Sequence, residues 1–227
     1  MRVLALIPAY NEEACLEDTV MALRDACPDI GYLVVNDGSS DGTRAILDSL
    51  RLSHVDLPIN TGLTSAFRTG MKYAERHGYD AVVQFDADGQ HLPEYIGTMA
   101  EVMERQNADI VIASRYLDGS ERPTGARGAG SRLISRLIKA TTGTTITDPT
   151  SGMRMFDRRM ISYFAGGFDT APEPDTIALA ARKGYRVIEV PAKMQERQGG
   201  ESYLKLVNVI KYMTRTCLSI LLFQWLR

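Results

Sequence analysis

The strongest constraint in this sequence is an alternation. Short β-branched or aliphatic runs stand at 2–7 (RVLALI), 31–35 (GYLVV), 81–85 (AVVQF) and 109–113 (DIVIA), with a weaker one near 54–57. Between them lie stretches near 13–26, 43–51, 64–77 and 93–105 whose apolar residues recur at helical spacing. A strand that is apolar almost without interruption is buried on both faces, and the intervening helices are what cover it. The reading is an α/β chain with a mostly parallel central sheet flanked by helices. The second half is less regular. Residues 117–131 (LDGSERPTGARGAGS) read as a long loop, 131–141 as a helix, TDPTSGMRMF as a turn-rich segment, 174–183 as a helix and 185–190 as a strand. From Tyr203 the chain reads as one long helix.

Composition removes several classes. With 44% hydrophobic residues in 227, the chain can build a core and is not disordered. A protein that coats nucleic acid is strongly basic, whereas 26 basic and 28 acidic residues leave a net charge of −2, so no nucleic-acid partner is expected. Cys15, Cys27 and Cys217 make no CxxC pair and no disulfide framework. The opening MRVLALIPAYNEE reaches two acids too soon for a secretion signal. The longest uncharged apolar stretch, Thr216–Leu226, is shorter than the roughly 20 residues that cross a bilayer. The expectation is a soluble, cytoplasmic protein with an unusually apolar end.

In open α/β sheets ligands bind at the carboxyl ends of the strands, and the unusual polar clusters fall there. They are Pro8-Ala9-Tyr10-Asn11-Glu12-Glu13, then Asn36-Asp37-Gly38-Ser39-Ser40-Asp41-Gly42-Thr43, then Asp86-Ala87-Asp88-Gly89-Gln90-His91. The first two also read as turns that start helices, with Asp41 as an N-cap. The third is different. Two carboxylates two residues apart at the end of an apolar strand share one side of the chain and repel. A hard divalent cation relieves that repulsion, with phosphate and water oxygens completing its shell and Gln90 offering a neutral oxygen. The pattern suggests a Mg²⁺ or Mn²⁺ diphosphate site.

With these clusters, NTGLTSAFRTG (60–70), ASRY, DPTSGMRMF and ERQGGES follow in an order that resembles family 2 glycosyltransferases of the GT-A fold, over about residues 3–203. The likeness is greatest to the branch that loads sugars onto polyprenyl phosphates. The resemblance implies roles. Pro8, Tyr10 and Glu12 would lie against base and ribose, and Asp37 would hydrogen-bond the base. Asp86 would face the sugar diphosphate, and Asp88 and Gln90 would hold the metal. Arg115 and Arg197 would contact diphosphate or acceptor phosphate, and Asp148 would be the catalytic carboxylate beside Asp86. Arg127, Arg132 and Ser202 would meet the acceptor phosphate. Two departures stand out: Asn36 replaces a frequent acid, and Leu63-Thr64 replace a frequent Lys-Gly.

The implied reaction is an inverting, metal-dependent transfer from a nucleotide-sugar, UDP-linked by resemblance, to a polyprenyl phosphate in cell-envelope glycan synthesis. Direct addition to a growing cell-wall or capsular polysaccharide is the alternative. A sugar hydroxyl acceptor needs a base. A phosphate monoester, with its second pKa of about 6, needs mainly cations to place it. Residues 122–147 contain Arg122, Arg127, Arg132, Arg136 and Lys139 and no acid. That is either a solvated helix face or a surface for phosphate and membrane.

Residues 1–202 read as the catalytic domain and 203–227 as an amphipathic helix. Its polar stripe is Lys205, Asn208, Lys211, Arg215 and Ser219, set against Leu204, Val207, Ile210, Met213, Ile220 and Leu221. Three placements remain open: packing on its own domain or in a homo-oligomer, lying in the membrane interface with Trp225 at headgroup level, or docking on a membrane-protein partner. The location expected is the cytoplasmic face of the membrane, as a peripheral protein.

Overall fold

The computed structural model describes residues 1–117, 125–167, 171–195 and 206–222, with side chains undescribed at 126, 127 and 206–211. Among these residues seven strands form one sheet: β1 (Val3–Ala9), β2 (Gly31–Asn36), β3 (His54–Asp56), β4 (Ala81–Gln84), β5 (Ile110–Ser114), β6 (Arg154–Asp157) and β7 (Val187–Pro191). Their spatial order is β3-β2-β1-β4-β6-β5-β7. Every pairing is parallel except those of β6, which runs antiparallel to β4 and β5.

Among the described residues eight helices accompany the strands: α1 (Leu16–Ala26), α2 (Thr43–Ser49), α3 (Leu63–Arg76), α4 (Tyr95–Gln106), α5 (Gly125–Thr142), α6 (Arg158–Gly166), α7 (Pro174–Arg182) and α8 (Leu206–Leu221). Strand alternation splits the core in two. Ala5, Ile7, Val34, Val83 and Val111 face α1 and α4, whereas Leu4, Leu6, Leu33, Val82 and Ile110 face α3, α6 and α7. The near-continuous apolar strands are therefore buried on both faces, as their sequences require.

On the second face α3 lies close against β1. A Cβ on Gly70 would overlap the Leu6 side chain. Overpacking of this kind costs about 1–3 kcal/mol. Gly70→Ala is expected to lower the melting temperature in a circular-dichroism melt, and an unchanged melt would contradict this close approach.

Two readings of the second half are corrected. The segment TDPTSGMRMF is not only turns, because residues 154–157 form β6 and Asp157 then caps α6, its Oδ1 accepting from the Met160 N–H at 2.9 Å. A four-residue strand with a buried arginine has no readable period. The helix expected at 131–141 starts earlier, at Gly125, so the loop before it is shorter than 117–131.

Among the described residues of the expected α8 stripes, Met213, Ile220 and Arg215 lie where expected, and Ser219 and Leu221 do not. Met213 and Ile220 pack inward, as does the polar Ser219, but Leu221 is exposed together with Leu218 and Leu222. The helix packs on α5 and α7 of its own chain. Trp225 lies outside the described residues.

Candidate active site

β6 explains how the site comes together. Because it is reversed, its beginning lies beside the ends of β4 and β5. Residues 148–153, which precede β6, therefore share one sheet edge with 86–91, which follow β4, and with Arg115, which follows β5.

The loops after β1 and β2 are stitched to each other. Asn11, at a left-handed φ of 56°, donates its N–H to Ser39 Oγ (3.0 Å) and accepts the Ser40 N–H on Oδ1 (2.8 Å). The Glu12 N–H donates to Thr43 Oγ1 (2.9 Å), and the Glu13 carboxylate accepts the Gly42 N–H. Asp41 accepts from the Thr43 and Glu13 N–H groups, and these bonds hold its carboxyl below the ordinary range against the opposing effect of desolvation.

Asp37 is buried and anchors a third loop. It accepts from the Thr61 N–H and hydroxyl, each at 2.9 Å, and from the Gly62 N–H at 2.7 Å. Gly38 lets the two backbones meet: its φ is +65°, and a Cβ would stand 2.5 Å from Asn60 N. A carboxylate has about four acceptor positions, so Asp37 shapes the pocket wall with one position to spare. Pro8 pairs with Val35 in the ladder, and Pro8, Tyr10 and Glu12 are all partly exposed along this edge. Asn36 is spent internally, donating to Asp56 Oδ1 (2.7 Å) and accepting the Ser39 N–H.

Asp86 is held from two sides. Gln84 Nε2 donates to its Oδ1 (3.1 Å), and its own N–H donates to His91 Nδ1 (2.9 Å). With Nδ1 accepting, the ring proton sits on Nε2, 3.6 Å from Asp86 Oδ2. The His91 side chain is 2% exposed and its ring meets Phe85 edge-on at 5.6 Å. Sequence reading assigned His91 no role. Its place five residues past Asp86, at the end of the acidic loop, was the available signal.

Replacing the outer partners of a metal or charged site typically costs 10–100-fold. His91→Phe keeps the ring and removes the acceptor. It is expected to lower turnover by about that factor, and wild-type turnover would remove His91 from the site.

Asp88 accepts the Gln90 N–H on Oδ1 (3.1 Å). Gln90 turns its amide nitrogen to the Gln195 carbonyl (3.5 Å), which leaves the amide oxygen as its side-chain acceptor. Among the described residues no three His, Cys, Asp or Glu side chains cluster as a metal cage. The donors present are hard oxygens in an open arrangement. That fits Mg²⁺ or Mn²⁺, which keep places for phosphate and water.

Asp148, expected as the catalytic carboxylate, lies in a buried ion pair. Asp148 is 0% exposed and forms a two-pronged pair with Arg115, Nε to Oδ2 at 2.7 Å and Nη2 to Oδ1 at 2.8 Å. It also accepts the Arg115 N–H (3.1 Å) and the Thr150 hydroxyl (3.2 Å). A carboxylate so engaged aims an arginine and has no face left for an acceptor hydroxyl.

Burial opposes the Arg115 charge, but Asp148 more than offsets it and holds its pKa above the ordinary value. The Arg115 side chain is 33% exposed, so the fork is fixed at one end and open at the other. Behind the pair, Glu189 of β7 accepts from the Asp148 N–H (2.7 Å) and from the Thr147 N–H and hydroxyl. Gly152 closes the turn: a Cβ there would stand 2.6 Å from Asp86 Oδ2 and 3.2 Å from His91 Nε2.

Arg132, Arg136 and Lys139 are exposed on α5. Arg197 and Ser202 lie outside the described residues, and Arg127 is placed only by its backbone in α5.

Comparison with known proteins bears on this arrangement. The model of the family described as glycosyl transferase family 2 matches residues 5–164. The polyprenol monophosphomannose synthase of Mycolicibacterium smegmatis is 32% identical over 224 residues, covering 93% of this chain and 84% of that protein. The undecaprenyl-phosphate mannosyltransferase of Micrococcus luteus is 35% identical over 238 residues, covering 93% and 94%. In fold, the chain is similar to glucosyl-3-phosphoglycerate synthase from Mycobacterium tuberculosis, crystallised with Mn²⁺, UDP and phosphoglyceric acid. The TM-score is 0.72 at 18% identity, covering 98% of this chain and 78% of that one.

Proposed function

The chain belongs to glycosyl transferase family 2 and is a glycosyltransferase of GT-A-like fold, and on that premise we propose that it transfers a sugar, with inversion, from a nucleotide-sugar to a polyprenyl phosphate. The observation that carries this reading is the Arg115–Asp148 fork at the same sheet edge as Asp86 and Asp88. It is supported by two relatives whose names specify polyprenol or undecaprenyl phosphate chemistry over nearly the whole chain.

The donor lies along the β1 and β2 loops. Pro8, Tyr10, Glu12 and Asp37 face the nucleoside, and Asp86 faces the sugar diphosphate. Asp88 and Gln90 would hold Mg²⁺ or Mn²⁺, which would supply counter-charge to the departing diphosphate. Arg115, aimed by Asp148, meets phosphate charge from the other side. Arg197 is assigned to the diphosphate, and Arg127, Arg132 and Ser202 to the acceptor phosphate.

An acceptor phosphate oxygen forms the new bond to the anomeric carbon. The bond to the diphosphate breaks, and its electron pair leaves with the nucleoside diphosphate. Attack from the face opposite the leaving group inverts the centre. The acceptor is mostly dianionic at neutral pH, so no side chain has to remove a proton. This accords with an Asp148 that is fully engaged elsewhere.

Residues 1–202 are read as the catalytic part and 203–227 as the part that brings it to lipid. No helix among the described residues is long and apolar enough to cross a membrane. Leu133 on α5, Leu218 and Leu221 on α8 and Leu222 just past it are exposed, as are Arg132, Arg136, Lys139 and Arg215. Leucines with cations suit the surface of an anionic bilayer, which makes the protein peripheral.

The test incubates the protein with Mg²⁺ or Mn²⁺, UDP- and GDP-linked sugars, and undecaprenyl phosphate, and follows nucleotide release and lipid-linked sugar. Lipid-dependent product is expected, and the productive donor identifies the base. Turnover with an oligosaccharide but with no lipid phosphate would overturn the acceptor assignment. Co-sedimentation with vesicles of anionic lipid is expected to weaken when Leu218 and Leu221 are both replaced by Ser. Unchanged binding would remove α8 from the lipid contact.

A further inference from the structure

Two of the loops that frame the site hang on one buried cation. Arg154, the first residue of β6, is 2% exposed. Its guanidinium donates to the carbonyl of Pro149 at 2.8 Å and to that of Pro172. One side chain therefore ties the turn that carries Asp148 and Gly152 to the segment that leads into α7. Burial lowers the Arg154 pKa, and Tyr212, Asp148, Glu173 and Asp86 act against that loss.

Glu173 follows Pro172 directly, and its carboxyl hydrogen-bonds the hydroxyl of Tyr212 on α8. Two residues on, Asp175 accepts the Ser219 hydroxyl at 2.6 Å. Positions 212 and 219 are two helical turns apart and so lie on one face of α8. That inward face also buries Thr216, while Leu218, Leu221 and Leu222 stay outside. The inward face thus joins the apolar Met213 and Ile220 to hydroxyl side chains, and the Ser219–Asp175 bond ties it to α7.

We propose that Tyr212 and Glu173 are positioning residues for the transfer. Tyr212 fixes Glu173, Glu173 faces Arg154, and Arg154 holds the Pro149–Gly152 turn where Gly152 meets Asp86 and Asp148 meets Arg115. The loops at 8–13 and 36–43 are held by their own bonds and take no part. The α8 helix is thus a working part of the site as well as its route to lipid. Only the transfer readout below rests on the polyprenyl-phosphate reading.

The test is Tyr212→Phe, which keeps the ring and removes the hydroxyl. A hydrogen bond to a charged group sets the scale, so transfer to undecaprenyl phosphate is expected to fall about tenfold, with the KM for the nucleotide-sugar unchanged. Amide hydrogen exchange is expected to quicken at Asp148, Thr150, Ser151 and Gly152 and to stay as it was at 36–43. In a Glu173→Ala background, Tyr212→Phe is expected to add nothing further, because the two act as one unit.

Wild-type exchange and transfer in Tyr212→Phe would overturn the proposal. So would a uniform rise in exchange with weakened nucleotide binding, the mark of general loosening. A wild-type protein that never loads undecaprenyl phosphate would refute the proposed acceptor, while the exchange measurement would still decide the role of Tyr212.

Discussion

Replacing Asp88 by Ala is expected to abolish metal-dependent donor binding and to cut turnover by roughly 10²–10³-fold or more. The carboxylate is one of two acids just past β4, and it accepts the Gln90 N–H. A thermal melt of the variant, run beside the binding measurement, separates lost metal binding from a lost fold. Titration calorimetry separates the cases. Wild-type protein is expected to bind nucleotide-sugar with Mn²⁺ and only weakly without it, and Asp88→Ala to give the weak isotherm in both conditions. Retained metal dependence would move the metal away from Asp88. Gln90→Ala, which removes a neutral oxygen, is expected to have a smaller effect in the same direction.

Asp148→Asn is expected to damage stability and chemistry together. The substitution sets an amide NH₂ against the guanidinium it formerly held, inside a fully buried site. Breaking a buried pair costs about 3–5 kcal/mol, and the partial exposure of Arg115 places this case near 3. For a chain of this size that is roughly 6–12 °C in melting temperature.

The two roles discussed for Asp148 differ in the pH–rate profile, measured where the variant is folded. If Asp148 only aims Arg115, the acidic limb set by the acceptor phosphate persists at a lower plateau. If Asp148 were the proton acceptor, that limb would vanish. Arg115→Lys keeps the charge but loses the fork, so it is expected to reproduce much of the activity loss with a milder melt.

Legibility followed the range of the interactions. The strands β1, β2, β4 and β5 were readable because burial on both faces leaves continuous apolar runs. The loops at 8–13, 36–43 and 86–91 were readable because polar clusters at strand ends are unusual in themselves. The Arg115–Asp148 fork was not, since its members lie 33 residues apart and were given separate roles. Glu189, His91 and Tyr212 escaped for a related reason. Each acts through a contact that exists only once the sheet is built, and nothing in the local pattern of VIEV or IKYMT marks it. On α8 the buried Ser219 was not readable, because its place depends on a bond to Asp175 on another element.

The reversed strand also sets the order in which the molecule can be assembled. The β3-β2-β1-β4 half closes from strands within the first 84 residues. β5 has no sheet neighbour until β6 or β7 arrives, at least 40 residues later. Contacts of that separation form slowly, because the loop must close before the pairing rewards it. A chain growing from its amino end therefore sets the loops at 8–13 and 36–43 early and cannot set Arg115 against Asp148 until the second half has folded back. The proposed donor side of the site is thus complete before the proposed transfer side exists.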